Sequence, residues 1–521
     1  MLGPLHQKQF EYDFISHFQG DDSYLKTPRQ TPDVFYCLTQ PQATIAPSLI
    51  AASSKLMQDF SIEEPLSQRD VAILGGNCQD LNLKPYAVCY GGHQFGHWAG
   101  QLGDGRAICL GELTDKNKNL WEVQLKGAGL TPYSRSADGK AVLRSSVREY
   151  LMSEAMHHLG VETTRAISLV GTGEAVVRDM FYDGRAADEP GAVVCRLAPS
   201  FLRFGNFELF ASRQDKAGLM QLCQYVIKRF FPSIDPMDEQ AYRQFIKILG
   251  KKTVELIVEW QRVGFTHGVM NTDNMSAIGL TIDYGPYSML DRFYQEFTPN
   301  TTDLPGRRYA FGAQPSIAIW NVLRLVDCFK IIEDQDTFQE ELTEELKEHF
   351  YKSYGTMMAK KMGLSQLKEK KRIPIINDFL HLLEEGGLDY TNGFQCLRTA
   401  ASKDRSNFSE KLASTSYRTL DAVINELLVS FTREYLQAFT SQANPSQAQD
   451  EMAKSNPVFT LRNYLLFEAI AELTEGKRTI FEQLETAIQN PYQMTADPKL
   501  CDNAPDWAER MPGCSQLSCS S

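Results

Sequence analysis

The rhythm of hydrophobic and polar positions changes along the chain. Up to about residue 85, short apolar stretches are separated by prolines at 28, 32, 41, 47, 65 and 85, which reads as an extended arm wrapped on a core rather than a unit that folds alone. From Tyr86 strand-like runs take over. Ala107–Leu113 and Trp121–Lys126, joined by the polar turn Thr114–Asn119, predict a hairpin. Val147, Leu151, Ala155 and His158 or Leu159 then recur at helical spacing, predicting a helix over 142–159 with Gly160 placed to end it. A further strand is expected over Ala192–Leu197. Beyond Asp215 the period is helical, with helices expected at about 216–231, 239–263, 314–333, 336–353, 416–440 and 458–487, interrupted by a loop region over 265–312. The charge run Lys368–Ile373 reads as a solvated helix end. The division that results is an arm (1–85), a strand-rich lobe (86–212), a helical lobe (213–500) and a polar tail (501–521), an α+β organisation.

At 521 residues, 43% hydrophobic and 23% charged, the chain is long enough for two or three packed lobes. A net charge of −12 and a pI near 5.4 argue against nucleic acid or an anionic membrane as partner, because both need clustered Lys and Arg. Cations that bind phosphate must then be local. No apolar run approaches the roughly 20 residues that span a bilayer, and the start MLGPLHQKQFEYDF carries no targeting pattern, so a cytoplasmic location is expected. The 11 cysteines contain no Cys-x-x-Cys pair, which argues against a zinc site or a disulfide framework. Cys514 and Cys519 fall in a polar tail expected to be mobile, as redox thiols or as unpaired exposed ones.

The loop region holds the most informative motif. His267-Gly-Val-Met-Asn-Thr-Asp-Asn274, followed nine residues on by Asp283-Tyr-Gly285, nearly spells the catalytic end of a protein kinase, with Val269 where the base Asp belongs. An apolar side chain accepts no proton, so the chain is either a dead kinase or an enzyme that uses its nucleotide differently. Asn274 and Asp283 are oxygen donors of the kind Mg²⁺ or Mn²⁺ takes alongside phosphates. Asp273 is an extra carboxylate that could replace the missing base, although Asx residues also shape turns.

Upstream, Tyr90–Arg106 packs six glycines into seventeen residues. There Gly100, Gly103 and Gly105 could aim N–H groups at phosphate and Arg106 could add a charge, though hairpins also use glycine for geometry. Lys126, closing the second strand of the pair, and Glu149, in the next helix, stand in the order of the kinase Lys–Glu pair. Arg196 and Arg203 fall at the interlobe hinge, where two guanidiniums would suit a reversed triphosphate or would simply be surface arginines.

Tyr90–Gly100, Gln124–Arg135 and His267–Ser276 together closely resemble the selenoprotein O family, also called YdiU or protein adenylyltransferase, over nearly the whole chain. The resemblance implies a kinase-like bilobal fold that transfers AMP from ATP to Ser, Thr or Tyr hydroxyls of proteins, with the nucleotide flipped relative to kinases. Some bacterial members transfer UMP from UTP with Mn²⁺ favoured, and self-modification is expected. It further implies Asp273 as proton acceptor, Asn274 and Asp283 as metal ligands, and Lys126, held by Glu149, on phosphate. Gly103, Gly105, Arg106, Asp138, Gly139, Arg196 and Arg203 would line the nucleotide pocket. Cys519 stands at the family's selenocysteine position, but the loop Phe293–Leu304 contains no cysteine to pair with it and Cys328 is the nearest downstream. A kinase with a displaced base and a nucleotide-binding scaffold without catalysis are the alternatives.

Overall fold

The computed structural model describes residues 2–399, 407–495 and 497–518. Its strands up to Ala198, in chain order, are β1 (Gly20–Asp21), β2 (Tyr36–Leu38), β3 (Ser48–Ala52), β4 (Tyr86–Val88), β5 (Gly91–Gln94), β6 (His97–Gln101), β7 (Ala107–Thr114), β8 (Leu120–Lys126), β9 (Ala141–Val142), β10 (Arg165–Arg178) and β11 (Ala187–Ala198); Phe265–Thr266 and Ser288–Met289 form a further two-stranded pair. Among the described residues nine of these form one sheet in the order β1-β2-β4-β7-β8-β11-β10-β3, with β9 against β11; β5 and β6 make a separate hairpin. The N-terminal segment therefore supplies both sheet edges. After β11 the chain is mainly helical, so the molecule is mixed α+β, strand-rich first and helical second.

The central strands are covered on both faces, and their two-residue period sorts the side chains. On one face Val123 and Leu125 of β8 and Val193, Cys195 and Leu197 of β11 pack against Leu56, Met57, Val71 and Leu74 from the N-terminal segment. On the other, Ala192 and Val194 meet Val147 and Leu151 of α1 (Leu143–His158). This alternation sends Gln124, Lys126 and Arg196 toward α1. The β8–β11 register sets Gln124 opposite Arg196. Helix α1 is buried almost all round because C-terminal helices cover its other side: Tyr150 donates to Glu485 (3.0 Å), and Arg148 reaches Asn463 (3.2 Å) and the carbonyl of Tyr287 (2.7 Å). Burial of Val147, Leu151, Met152 and Met156 stabilises this seat by about 1.5–3 kcal/mol per side chain.

Several expectations need correction. Strand β10 was not expected, because Gly171 and Gly173 interrupt its alternation, yet it pairs with β11 over most of its length. The span 458–487 is two helices, Asn463–Thr474 and Thr479–Ile488, separated at Gly476, whose φ of 79° no helix continues. The charge run is the exposed start of helix Glu369–Glu385, as expected, but the helix's continuation through Pro374 and the helix Pro445–Ser455 were not expected. The tail is docked rather than loose. Cys514 is buried, its carbonyl accepts from Asn463 (3.0 Å), and Leu517 exchanges backbone hydrogen bonds with Pro299 and Thr301. Cys519 lies outside the described residues. No helix among them is long and apolar enough to cross a membrane.

One buried carboxyl makes the sheet pH-sensitive. Glu122 of β8 faces Glu112 of β7 across the ladder, and burial followed by repulsion from Glu112 pushes its pKa to about 8. Between its unfolded value near 4.5 and about 8 the folded state binds the extra proton, so this group's contribution to stability falls as pH rises through that window. Glu122→Gln, which mimics the protonated form, is expected to raise Tm at pH 8 and leave it nearly unchanged at pH 5; thermal scans at the two pH values check this.

Candidate active site

The cleft side of the sheet, α1 and the turns after α3 meet around Asp283, where α2 (Phe204–Ser212) and α3 (Ala241–Val263) precede the motif region. Helix α3 ends at Gly264 in the left-handed conformation, and His267 follows, buried and stacked on Trp260 (5.3 Å between ring centres). Burial holds His267 neutral, and its Nε2 donates to the Ile282 carbonyl (3.0 Å), fixing the residue before Asp283. Asp283 itself takes a φ of 58°, uncommon for a side chain other than glycine but within reach of Asp.

Four side chains from separate elements converge there. Lys126 Nζ lies 2.5 Å from Glu149 Oε2 and 3.5 Å from Asp283 Oδ1. Arg196 Nη1 bridges Glu149 Oε1 (2.7 Å) and Asp283 Oδ1 (2.6 Å), and its Nη2 donates to Gln124. Arg203 Nη1 donates to Asp283 Oδ2 (2.6 Å) and to the Asp273 carbonyl (2.8 Å), while its guanidinium stacks on Tyr90 (4.5 Å). Burial alone would raise the Asp283 carboxyl; Arg203, Lys126 and Arg196 reverse this and hold it well below the usual carboxylate range. Asp283 is thus an ionised hub surrounded by three cations.

Beside it opens a cavity of about 740 Å³, lined by Gly103, Gly105, Arg106, Lys126, Asp138, Gly139, Arg196, Arg203, Asn274 and Asp283. Gly103 adopts a φ of 120°, and a Cβ there would fall 2.4 Å from the Tyr133 ring, so the turn needs glycine. Asp138 is held by Arg178 at 2.8 Å through both carboxylate oxygens, and Gly139 passes over the Gly129 carbonyl. Asn274 donates its amide N–H to the Val269 carbonyl (2.9 Å), which leaves the amide oxygen free to ligate a cation. Among the described residues no three His, Cys, Asp or Glu side chains gather into a metal cluster. A cation here would take the Asn274 and Asp283 oxygens and complete its shell with phosphate and water, as Mg²⁺ and Mn²⁺ do at nucleotide sites.

Asp273 is not among the residues lining that cavity. It sits under the β5–β6 hairpin, 8% exposed, its Oδ2 accepting from Gln94 (3.2 Å) and its Oδ1 buried with no hydrogen-bond partner. Burial raises its pKa to about 6 against the pull of Arg203. An unpartnered buried carboxylate oxygen fits a group that waits for a donor or an ion. Gly92 makes room for it: a Cβ would lie 2.8 Å from Oδ1. Gly92→Ala is therefore expected to displace the Asp273 turn and cut activity by roughly ten-fold or more while ATP affinity holds; parallel rate and binding measurements check this.

Several participants escaped the sequence reading. Asp104, between two cavity glycines, is buried 3.9 Å from Arg203, accepts from the Val88 amide (3.1 Å), and is raised by burial to about 6. Glu208 of α2 accepts from His93 Nδ1 (2.6 Å) and from the Thr272 hydroxyl, tying the hairpin to the residue before Asp273. Gln94 and Thr272 stood inside quoted motifs but carried no expected role.

A strand Lys paired to a helix Glu, an Asp hub at the following turn and an Asn beside it repeat the arrangement of a protein-kinase cleft, with Val269 in place of the base. The family model described as protein adenylyltransferase SelO matches residues 22–489, and the chain belongs to that family. It is 46% identical over 520 residues to the protein nucleotidyltransferase YdiU of Cytophaga hutchinsonii, covering 99% of each chain, and 43% identical over 520 residues to that of Methylobacillus flagellatus, covering 98% of this chain and 99% of the relative. Among solved structures, ROP2 from Toxoplasma gondii, described as a virulence factor with a protein-kinase fold and no enzymatic activity, aligns at 12% identity over 57% of this chain and 87% of that one with a TM-score of 0.25, too low to carry an argument.

Proposed function

We propose that this protein transfers AMP from ATP to Ser, Thr or Tyr hydroxyls of proteins, releasing pyrophosphate. One observation carries the reading: the position of the kinase base is Val269, while a buried carboxylate with a free oxygen, Asp273, stands beside Asn274, near the Asp283 hub. The acceptor oxygen bonds to the α-phosphorus, the bond from that phosphorus to the bridging oxygen breaks, pyrophosphate leaves, and the hydroxyl proton goes to the Asp273 carboxylate.

Lys126, Arg196 and Arg203 face two acidic partners, Glu149 and Asp283, within ion-pair distance, with Asp104 at 3.9 Å. A triphosphate supplies the anion this cluster is built to hold, and the arginines are the reason to place the nucleotide flipped, with its terminal phosphates against Arg196 and Arg203. Gly103, Gly105, Arg106, Asp138 and Gly139 would flank it. Asn274 and Asp283 would hold Mg²⁺ or Mn²⁺, which when bound neutralises phosphate charge. Glu149 keeps Lys126 and Arg196 oriented. A need for intracellular ATP fits a cytoplasmic place of action, and self-modification is expected where a surface hydroxyl reaches Asp273. UTP is the competing donor. Pyrophosphate release measured with ATP and with UTP, each with Mg²⁺ or Mn²⁺ and a protein acceptor, tests the reading: release with neither nucleotide would sink it.

A further inference from the structure

We infer that the face built by His93, Trp98, Arg308 and Trp320 docks the acceptor polypeptide and takes an acidic side chain within a few residues of the hydroxyl that is modified; this rests on the nucleotidyl-transfer reading. The face lies on the Asp273 side of the catalytic turn. Phe95 N at the hairpin tip donates to Tyr309 Oη (2.9 Å), and Tyr309 Oη donates to Asn271 (2.6 Å), two residues before Asp273, so Arg308 is chained to the turn through its neighbour.

Arg308 is a cation with no carboxylate within ion-pair distance among the described residues; Asp303 attracts it only from farther off. It forms no ion pair among the described residues, and its Nε and Nη2 are buried with no hydrogen-bond partner. The nearby carboxylates are spent: Asp303 accepts from the Arg308 and Tyr309 backbone amides (3.0 and 2.8 Å), Glu208 holds His93 and Thr272, and Asp327 holds Arg324 (2.8 Å). The guanidinium stacks on Trp320 (4.5 Å), whose ring also meets Arg324 (5.0 Å) and the edge of His93 (5.8 Å). Gly96 leaves bare the space beside it, where a Cβ would lie 3.4 Å from Cζ. Trp98, 39% exposed and packed on His93 (5.3 Å), extends the apolar wall.

A guanidinium in an aromatic frame favours a carboxylate, because opposite charges attract and the rings exclude the water that would weaken the pair. In a chain of net charge −12 such a cation beside the base also sets register: an acidic residue is attracted here and repelled elsewhere. An extended acceptor advances at most about 3.6 Å per residue, so the acidic position falls within a few residues of the hydroxyl.

The test offers wild type, Arg308→Gln and Arg308→Glu, with α-labelled ATP and metal, to poly(Glu,Tyr) and poly(Lys,Tyr), and to degenerate Ser/Thr peptides flanked by Asp/Glu or by Lys/Arg, with ATP affinity measured in parallel. Wild type is expected to label the acidic acceptors roughly ten-fold better, Arg308→Gln to lose the preference and Arg308→Glu to invert it through acceptor KM, with ATP affinity unchanged. Labelling without preference, or a preference that survives at Arg308→Glu, overturns the docking surface. No α-label on any acceptor or on the enzyme itself, from ATP or from α-labelled UTP in its place, overturns nucleotidyl transfer, a separate failure.

Discussion

Asp283→Asn is expected to lower AMP transfer on the order of 10²–10³-fold or more. The carboxylate is at once the proposed metal ligand and the anion that three buried cations share, through contacts of 2.6 Å from Arg196 and Arg203 and 3.5 Å from Lys126. An asparagine keeps the left-handed backbone that Asp283 requires, so the loss would come from charge and not from a rebuilt turn. Removing the charge leaves buried guanidiniums short of a partner, which costs about 3–5 kcal/mol. The nucleotide-free variant should therefore melt lower than wild type, and ATP should recover part of the difference by supplying phosphate to the same cations. A variant with full activity would show that the metal site lies elsewhere.

Asp273→Asn is expected to behave in the opposite way with respect to stability. Transfer should fall about 10²–10⁴-fold, the usual worth of a positioned base. Tm should stay level or rise, because the substitution removes a buried carboxylate that burial has already pushed to about 6 and whose Oδ1 has no partner. ATP affinity should hold, since Asp273 does not line the cavity proposed to take the nucleotide. The contrast between the two variants separates a group kept for chemistry from one that also holds the fold. Loss of stability at Asp273→Asn with activity retained would make Asp273 a turn former only.

Much of the cleft was legible in chain order. Lys126 closing a strand, Glu149 on the next helix, Asn274 and then Asp283 are local signals, and two-residue alternation together with the helical period already aims Lys126 at Glu149. The partners of the arginines were not legible. Arg196 and Arg203 read as phosphate ligands or surface charges, and only folding shows that both grip Asp283, 87 and 80 residues away. The same distance in sequence hid Glu208, whose partner His93 is 115 residues off. In the fold, the N-terminal segment read as an arm because β1, β2 and β3 are two to five residues long and bounded by proline or polar turns. Their places in the sheet come from pairing with β4 and β10, which the segment itself cannot specify. The continuation of helix Glu369–Glu385 was hidden by its internal proline, a feature that tertiary packing overrides.

The most direct measurement gives the purified protein ATP labelled either at the α- or at the γ-phosphate, with Mg²⁺ or Mn²⁺ and beside the Asp283→Asn variant, and reads label on protein. Label from the α position alone, lost in the variant, is the expected result; label from the γ position alone would contradict it and make this chain a kinase whose base is displaced.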